Sequence, residues 1–91
     1  MAWKIELTKE VAKKIRKLDK PVAKRLIQFL HERVSTLNNP RDIGEALTGS
    51  KLGEFWKYRV GDYRIICKIE DKEITILVVQ IGHRKSIYNN D

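Results

Sequence analysis

Cysteine is nearly absent from this chain. Cys67 stands alone, so neither an internal disulfide nor a thiolate cluster for a metal can form. Proline occurs twice and glycine five times in 91 residues, which leaves no linker and no low-complexity tract. No run of about 18 apolar residues is present, and this excludes a membrane-spanning helix. The opening residues Met1-Ala2-Trp3-Lys4-Ile5 lack the apolar stretch of a secretory signal. The expectation is a cytoplasmic protein with no membrane partner. Histidine is scarce as well: His31 lies isolated on a helical segment, and a two-histidine metal site is not expected. The chain has no phosphate-binding glycine loop, no dinucleotide fingerprint and no zinc spacing. Neither metal nor cofactor is expected.

What the chain does have is charge and one core's worth of apolar residues. Hydrophobic residues make up 42%, enough for a single packed domain over residues 1–91. Cys67, in an apolar strand pattern, reads as a small buried hydrophobe. The net charge is +7, from 19 basic and 12 acidic residues. Such a domain attracts nucleic acid, acidic protein or anionic membrane, or simply has a lysine-rich solvated surface.

Periodicity supplies the elements. Trp3-Lys4-Ile5-Glu6-Leu7 alternates and reads as a strand. Thr8 can cap a helix that begins at Lys9-Glu10 and carries Val11, Ile15 and Leu18 on one side. Asp19 can cap a second helix with Pro21 in its first turn. Val22, Leu26, Phe29, Leu30, Val34 and Leu37 give that helix a long apolar stripe, which Asn38-Asn39-Pro40 ends. Residues 41–47 suggest a short turn of helix and 48–53 a loop. Three strands follow, at about 54–60, 63–70 and 73–81, with Gly61-Asp62 and Asp71-Lys72 as turns. The predicted fold is α+β: a small antiparallel sheet in the order β-α-α-β-β-β, with a helical hairpin packed on one face.

Alternation then divides the sheet. Trp56, Tyr58 and Val60 share one side with Tyr63, Ile65, Cys67 and Ile69, and this side should meet the helices. Lys57, Arg59 and Arg64 should emerge together on the uncovered face. The last strand, 74–81, is apolar on both sides; periodicity places it centrally but cannot orient it.

The cations, with the ending Gly82-His83-Arg84-Lys85-Ser86-Ile87-Tyr88, fit one chemistry. Cleaving RNA by attack of its own 2′-hydroxyl needs a base, cations to stabilise the dianionic phosphorane, and an acid for the leaving oxygen. Arginine grips two phosphate oxygens at once, and histidine or a tyrosine among cations can serve as base. Lys57, Arg59, Arg64, His83, Arg84, Lys85 and Tyr88 are the candidates. Each also has an ordinary explanation as a solubilising, turn or packing residue, and only their joint placement raises the functional reading. On the helices Lys9, Lys13, Lys17, Lys20 and Lys24 recur every three or four residues. This stripe is either a plain solvated face or a surface for phosphate contacts that ignore sequence.

Several motifs together resemble the RelE/ParE superfamily of bacterial toxins, and within it the RelE branch. They are the opening strand, the two basic helices, Leu47-Thr48-Gly49, Trp56-Lys57-Tyr58-Arg59, Gly61-Asp62-Tyr63-Arg64-Ile65-Ile66 and Ile81-Gly82-His83-Arg84-Lys85-Ser86-Ile87-Tyr88. The resemblance covers essentially the whole chain. It implies the toxin of a type II toxin–antitoxin system: a metal-independent mRNA endoribonuclease that cuts in the ribosomal A site and leaves a 2′,3′-cyclic phosphate. On this resemblance Lys57 steadies the phosphate or helps activate the nucleophile, Arg64 holds the scissile phosphate, and Arg84 stabilises the transition state. Tyr88 is the base or a stacking platform, with His83 as the other candidate base. Arg59, Lys85, Lys13, Lys17 and Lys20 would bind RNA. The implied partners are a RelB-like antitoxin, the ribosome with its rRNA, and mRNA. Where such toxins carry two alternate lysines on the second strand, this chain has Phe55 at the first. The rival readings are a ParE-like toxin that poisons DNA gyrase, and a non-catalytic module that binds RNA or an antitoxin.

Overall fold

A computed structural model describes residues 2–47 and 55–83. The chain runs through β1 (Lys4–Leu7), α1 (Lys9–Lys17), α2 (Lys20–Gln28), a π-helical continuation (Phe29–Val34), a 3₁₀ turn (Pro40–Asp42), β2 (Glu45–Ala46), β3 (Phe55–Val60), β4 (Tyr63–Glu70) and β5 (Thr75–His83). The five strands form one sheet in the order β1-β5-β4-β3-β2. Among the described residues no helix is long and apolar enough to cross a membrane.

The sheet is mixed, which corrects the expected antiparallel one. The pairs β2–β3, β3–β4 and β4–β5 are antiparallel, but β1 lies parallel to β5, with Ile5 opposite Ile76. Alternation identifies a strand without giving its direction relative to a partner some seventy residues away. Glu45 and Ala46, expected in a helical turn, instead form a two-residue edge strand against Lys57 and Trp56.

The helices start for different reasons. Thr8 Oγ1 accepts the Val11 N–H at 3.2 Å, the expected cap. Asp19 stands at the head of α2, yet its carboxylate makes no capping bond. Pro21 occupies the second helical position and has no N–H to donate to that carboxylate. The second apolar stripe advances from Leu26 to Leu30 to Val34 in steps of four. A helix of 3.6 residues per turn drifts off such a stripe, whereas a wider π turn follows it. The Ser35 N–H accordingly reaches back five residues to the Leu30 carbonyl at 2.8 Å. Ser35 then ties this segment to the opening strand, donating its hydroxyl to the Trp3 carbonyl at 2.6 Å.

One apolar core lies between the helices and the sheet. Val11, Leu26, Leu30 and Val34 meet Tyr58, Val60, Ile65, Cys67, Ile69, Ile76, Val78 and Ile81. The predicted division of β3 and β4 therefore holds. Burial pushes the Cys67 thiol up to about 12, so it is an inert part of this core. The last strand is flanked on both sides, as expected of an interior strand, and it changes phase midway. Ile66 pairs with Gln80 but Cys67 pairs with Val78, which leaves Val79 as an extra residue. This bulge lets Ile76, Val78 and Ile81 all face the core while Gln80 stays exposed. A strict alternation cannot describe such a strand.

Candidate functional site

The hairpin between β3 and β4 turns in two residues. Gly61 has φ +61°, and Val60 pairs directly with Tyr63. This tight turn fixes the register that builds the cationic face. Arg59 lies opposite Arg64, and Lys57 lies opposite Ile66. Lys57 and Arg64 are thus diagonal neighbours on the face turned away from the helices, a relation that spaces residues by about 7–8 Å.

These three cations share a face but differ in exposure, which corrects the picture of all three emerging from it. Arg59 has 62% of its side chain exposed and Lys57 only 15%. Arg64 is buried at 6%. A guanidinium withdrawn from water acts on a nearby phosphate with less screening.

One acid joins this face that sequence reasoning missed. Glu45 Oε1 lies 3.1 Å from Lys57 Nζ and 3.7 Å from an Arg59 guanidinium nitrogen. The hydrogen bond from Lys57 holds the Glu45 carboxyl below the usual carboxylate range, helped by the charges of Lys57, Arg59 and Arg64. Glu45 sits twelve positions before Lys57 in a segment without periodicity, and nothing local in the sequence joins the two.

The placement of Glu45 is firmly built. Gly44 has φ +83°, and a Cβ there would stand 2.5 Å from the Lys57 carbonyl and 2.7 Å from the Trp56 indole nitrogen. Only glycine fits. The same indole donates to the Ile43 carbonyl at 2.7 Å, and the Tyr58 hydroxyl donates to the buried Pro40 carbonyl at 2.6 Å. The segment from 40 to 46 is thereby pinned along the edge of β3. Tyr58 is engaged in this bond and burial raises the pKa of its phenol, so it is unsuited to act as a base.

His83 is placed elsewhere. It pairs with Tyr63 across β4 and β5, and the two rings meet edge to face with centroids 5.2 Å apart. Tyr63 packs on the helix side of the sheet. His83 therefore lies across the sheet from Arg64 rather than beside it. Arg84, Lys85 and Tyr88 lie outside the described residues, as does Thr48-Gly49. Lys13, Lys17 and Lys20 are exposed on the outer surface of the helices, the far side of the molecule from Lys57 and Arg64. Among the described residues no group of three or more histidine, cysteine or acidic side chains could hold a metal ion.

The arrangement sets Lys57, Arg59 and Arg64 on one sheet face from adjacent strands, a cationic surface suited to an anion such as a phosphodiester. Comparison with known proteins bears on the family and the fold. The family model described as ParE toxin of type II toxin–antitoxin system, parDE, matches residues 5–88. Toxin RelG of Mycobacterium tuberculosis is 25% identical over 88 residues, covering 97% of this chain and 98% of the relative. Toxin RelE of the same organism is 26% identical over 86 residues, covering 94% and 86%. A chain of the toxin–antitoxin complex RelBE2 from Mycobacterium tuberculosis superposes with a TM-score of 0.81 at 21% identity, covering 92% of this chain and 93% of that one.

Proposed function

Because this chain belongs to the family of ParE toxins of type II toxin–antitoxin systems, on its RelE branch, we propose that it is a single-domain, cytoplasmic mRNA endoribonuclease that acts on the translating ribosome. The observation that carries this reading is the diagonal placement of Lys57 and Arg64 on one sheet face, with Arg59 directly opposite Arg64. In the proposed reaction Lys57 and Arg64 hold the scissile phosphate in the A site. Arg84 stabilises the phosphorane and protonates the leaving 5′-oxygen. Tyr88 removes the 2′-hydroxyl proton. The 2′-oxygen forms its bond to phosphorus as the bond to the 5′-oxygen breaks, giving a 2′,3′-cyclic phosphate and a 5′-hydroxyl. We assign the base to Tyr88 rather than His83, because the His83 ring packs on Tyr63 across the sheet from Arg64. Arg59 and Lys85 bind RNA beside the site, and the lysines of the helix stripe contact rRNA elsewhere.

The proposed partner that silences this activity is a small RelB-like antitoxin. Toxin chains of the same fold are found in complexes such as RelBE2. The test is primer extension on message translated in a reconstituted system. Cuts that need translation, map to the A site and vanish with Arg64→Ala are expected. A second reading, a gyrase poison, is favoured by the ParE description of the family model. Gyrase-dependent DNA breaks with intact message would establish it and overturn the nuclease.

A further inference from the structure

Glu45 poses a question that the cleavage chemistry leaves open. Its carboxylate stands where a phosphate oxygen would be expected to meet Lys57, and it is near Arg59 as well. The fold holds it there by a glycine that tolerates no side chain and by an indole hydrogen bond, all to place a two-residue strand. The contact is also unequal. Lys57 has 15% of its side chain exposed, whereas Glu45 has 56% exposed. The cation is largely shielded from water, and the acid faces it.

We infer that Glu45 is a built-in counter-ion of the phosphate site. It holds Lys57 and Arg59 when no nucleic acid is present and has to leave when a phosphodiester enters. Carboxylate and phosphate oxygens present the same acceptor chemistry to an ammonium, so the two compete for Lys57. An RNA that offers this face a single phosphate must displace an anion already in place and gains little. An RNA positioned by contacts elsewhere on the protein can still complete the exchange. Glu45 therefore lowers the affinity for free polyanions and leaves the site to strands already docked. Specificity of this kind comes from an element that opposes the wrong ligand. The alternative is an ordinary cross-strand ion pair that supports the sheet.

This inference rests on the phosphate-binding reading of the face, and two probes separate the failure of one from the failure of the other. The first is a 2′-O-methyl RNA oligonucleotide, which binds but lacks the nucleophile. Its affinity for the full chain and for Glu45→Gln is read by fluorescence anisotropy across a salt series. The glutamine variant should bind roughly two- to fivefold tighter, the scale set by removing one partly screened negative charge. Its log–log salt slope should steepen by about 0.7, the value for one more phosphate contact on a single strand. Its melting temperature should stay unchanged. The second probe is inorganic pyrophosphate, which reports the anion site without RNA. If the variant gains affinity for pyrophosphate while neither protein cuts message on ribosomes, the inference stands and the nuclease reading falls. Equal affinities with a lowered melting temperature would leave Glu45 as a structural pair and overturn the inference. So would unchanged affinity with loss of cleavage, which would place Glu45 in the chemistry. Failure of both proteins to bind either probe would overturn both readings.

Discussion

Arg59 and Arg64 stand directly opposite each other on β3 and β4, on the face the helices leave uncovered. Like charges in that relation oppose sheet formation, on a scale of roughly 0.2–1 kcal/mol per cross-strand pair. A sheet selected for stability alone would set a carboxylate or an apolar residue against one of them. Among the described residues Glu45 reaches Arg59 at 3.7 Å and makes its nearer contact, at 3.1 Å, with Lys57. Setting two cations opposite each other on one face costs sheet stability and suits the binding of an anion.

This relationship predicts opposite signs for stability and binding. Arg59→Thr removes the exposed member of the pair and puts a strand-favouring residue in its place. The midpoint of urea unfolding should rise, by about 0.5 kcal/mol at low salt, and the rise should shrink as salt screens the repulsion. Binding of single-stranded RNA should weaken over the same salt range. A variant less stable than its parent would show that the two guanidinium groups do not oppose each other.

The edge strand makes a second demand. Gly44→Ala would set a methyl group against the Lys57 carbonyl at a backbone angle of φ +83°. A side chain in this region costs about 1–2 kcal/mol before any clash is counted. The expected loss of folding stability is therefore about 2 kcal/mol or more, measured by denaturant unfolding. A further consequence separates this from a general loss of packing. The variant should lose the Glu45–Lys57 contact, so the Glu45 carboxyl should return to its ordinary range when followed by NMR titration.

Much of this architecture is legible in the residues, and the illegible parts share a cause. Thr8, the stripe of Leu26, Leu30 and Val34, and the alternation of Tyr58, Ile65 and Cys67 announce themselves because each depends on near neighbours in the chain. The grouping of Lys57, Arg59 and Arg64 follows from the same alternation plus a two-residue turn at Gly61-Asp62. By contrast, the parallel pairing of β1 with β5, and the meeting of Glu45 with Lys57, join segments that no local pattern connects. The extra residue at Val79 defeats alternation from inside a strand. The orientation of His83 depends on that bulge. Its place across the sheet from Arg64 therefore could not be read from the sequence, although the histidine itself was a candidate.

Acid should unfold the protein partly through a contact far from the cationic face. Arg41 donates to both carboxylate oxygens of Asp71, at 3.0 and 3.1 Å, and ties the segment before β2 to the turn between β4 and β5. The hydrogen bond from Arg41 holds the Asp71 carboxyl below its ordinary value. A carboxyl depressed in the folded state adds stability above its unfolded pKa, near 3.9, and loses it as pH falls through the folded value. The contribution should thus be complete at neutral pH and disappear below about pH 4. Because the pair is exposed, Asp71→Asn should cost less than about 1 kcal/mol at pH 7. Urea midpoints measured from pH 7 downward should show a shallower acid limb for the variant. Identical limbs would mean that solvent has reduced the pair to nothing.

The lysines of the helical layer supply the last test, because they lie on the far side of the molecule from Lys57 and Arg64. Lys13, Lys17 and Lys20 are exposed on the helices, which pack on the opposite face of the sheet. If the stripe docks on rRNA, replacing all three with glutamine should weaken ribosome binding. The log–log salt slope should drop by roughly 2, at about 0.7 per lost contact to single-stranded segments. Binding of a short RNA oligonucleotide to the sheet face should stay as it was, since that face keeps all of its cations. The two surfaces would then be separable, with the helices holding the ribosome and the sheet holding the message. An unchanged slope for ribosome binding would reduce the stripe to a solvated helix face and leave docking to the sheet alone.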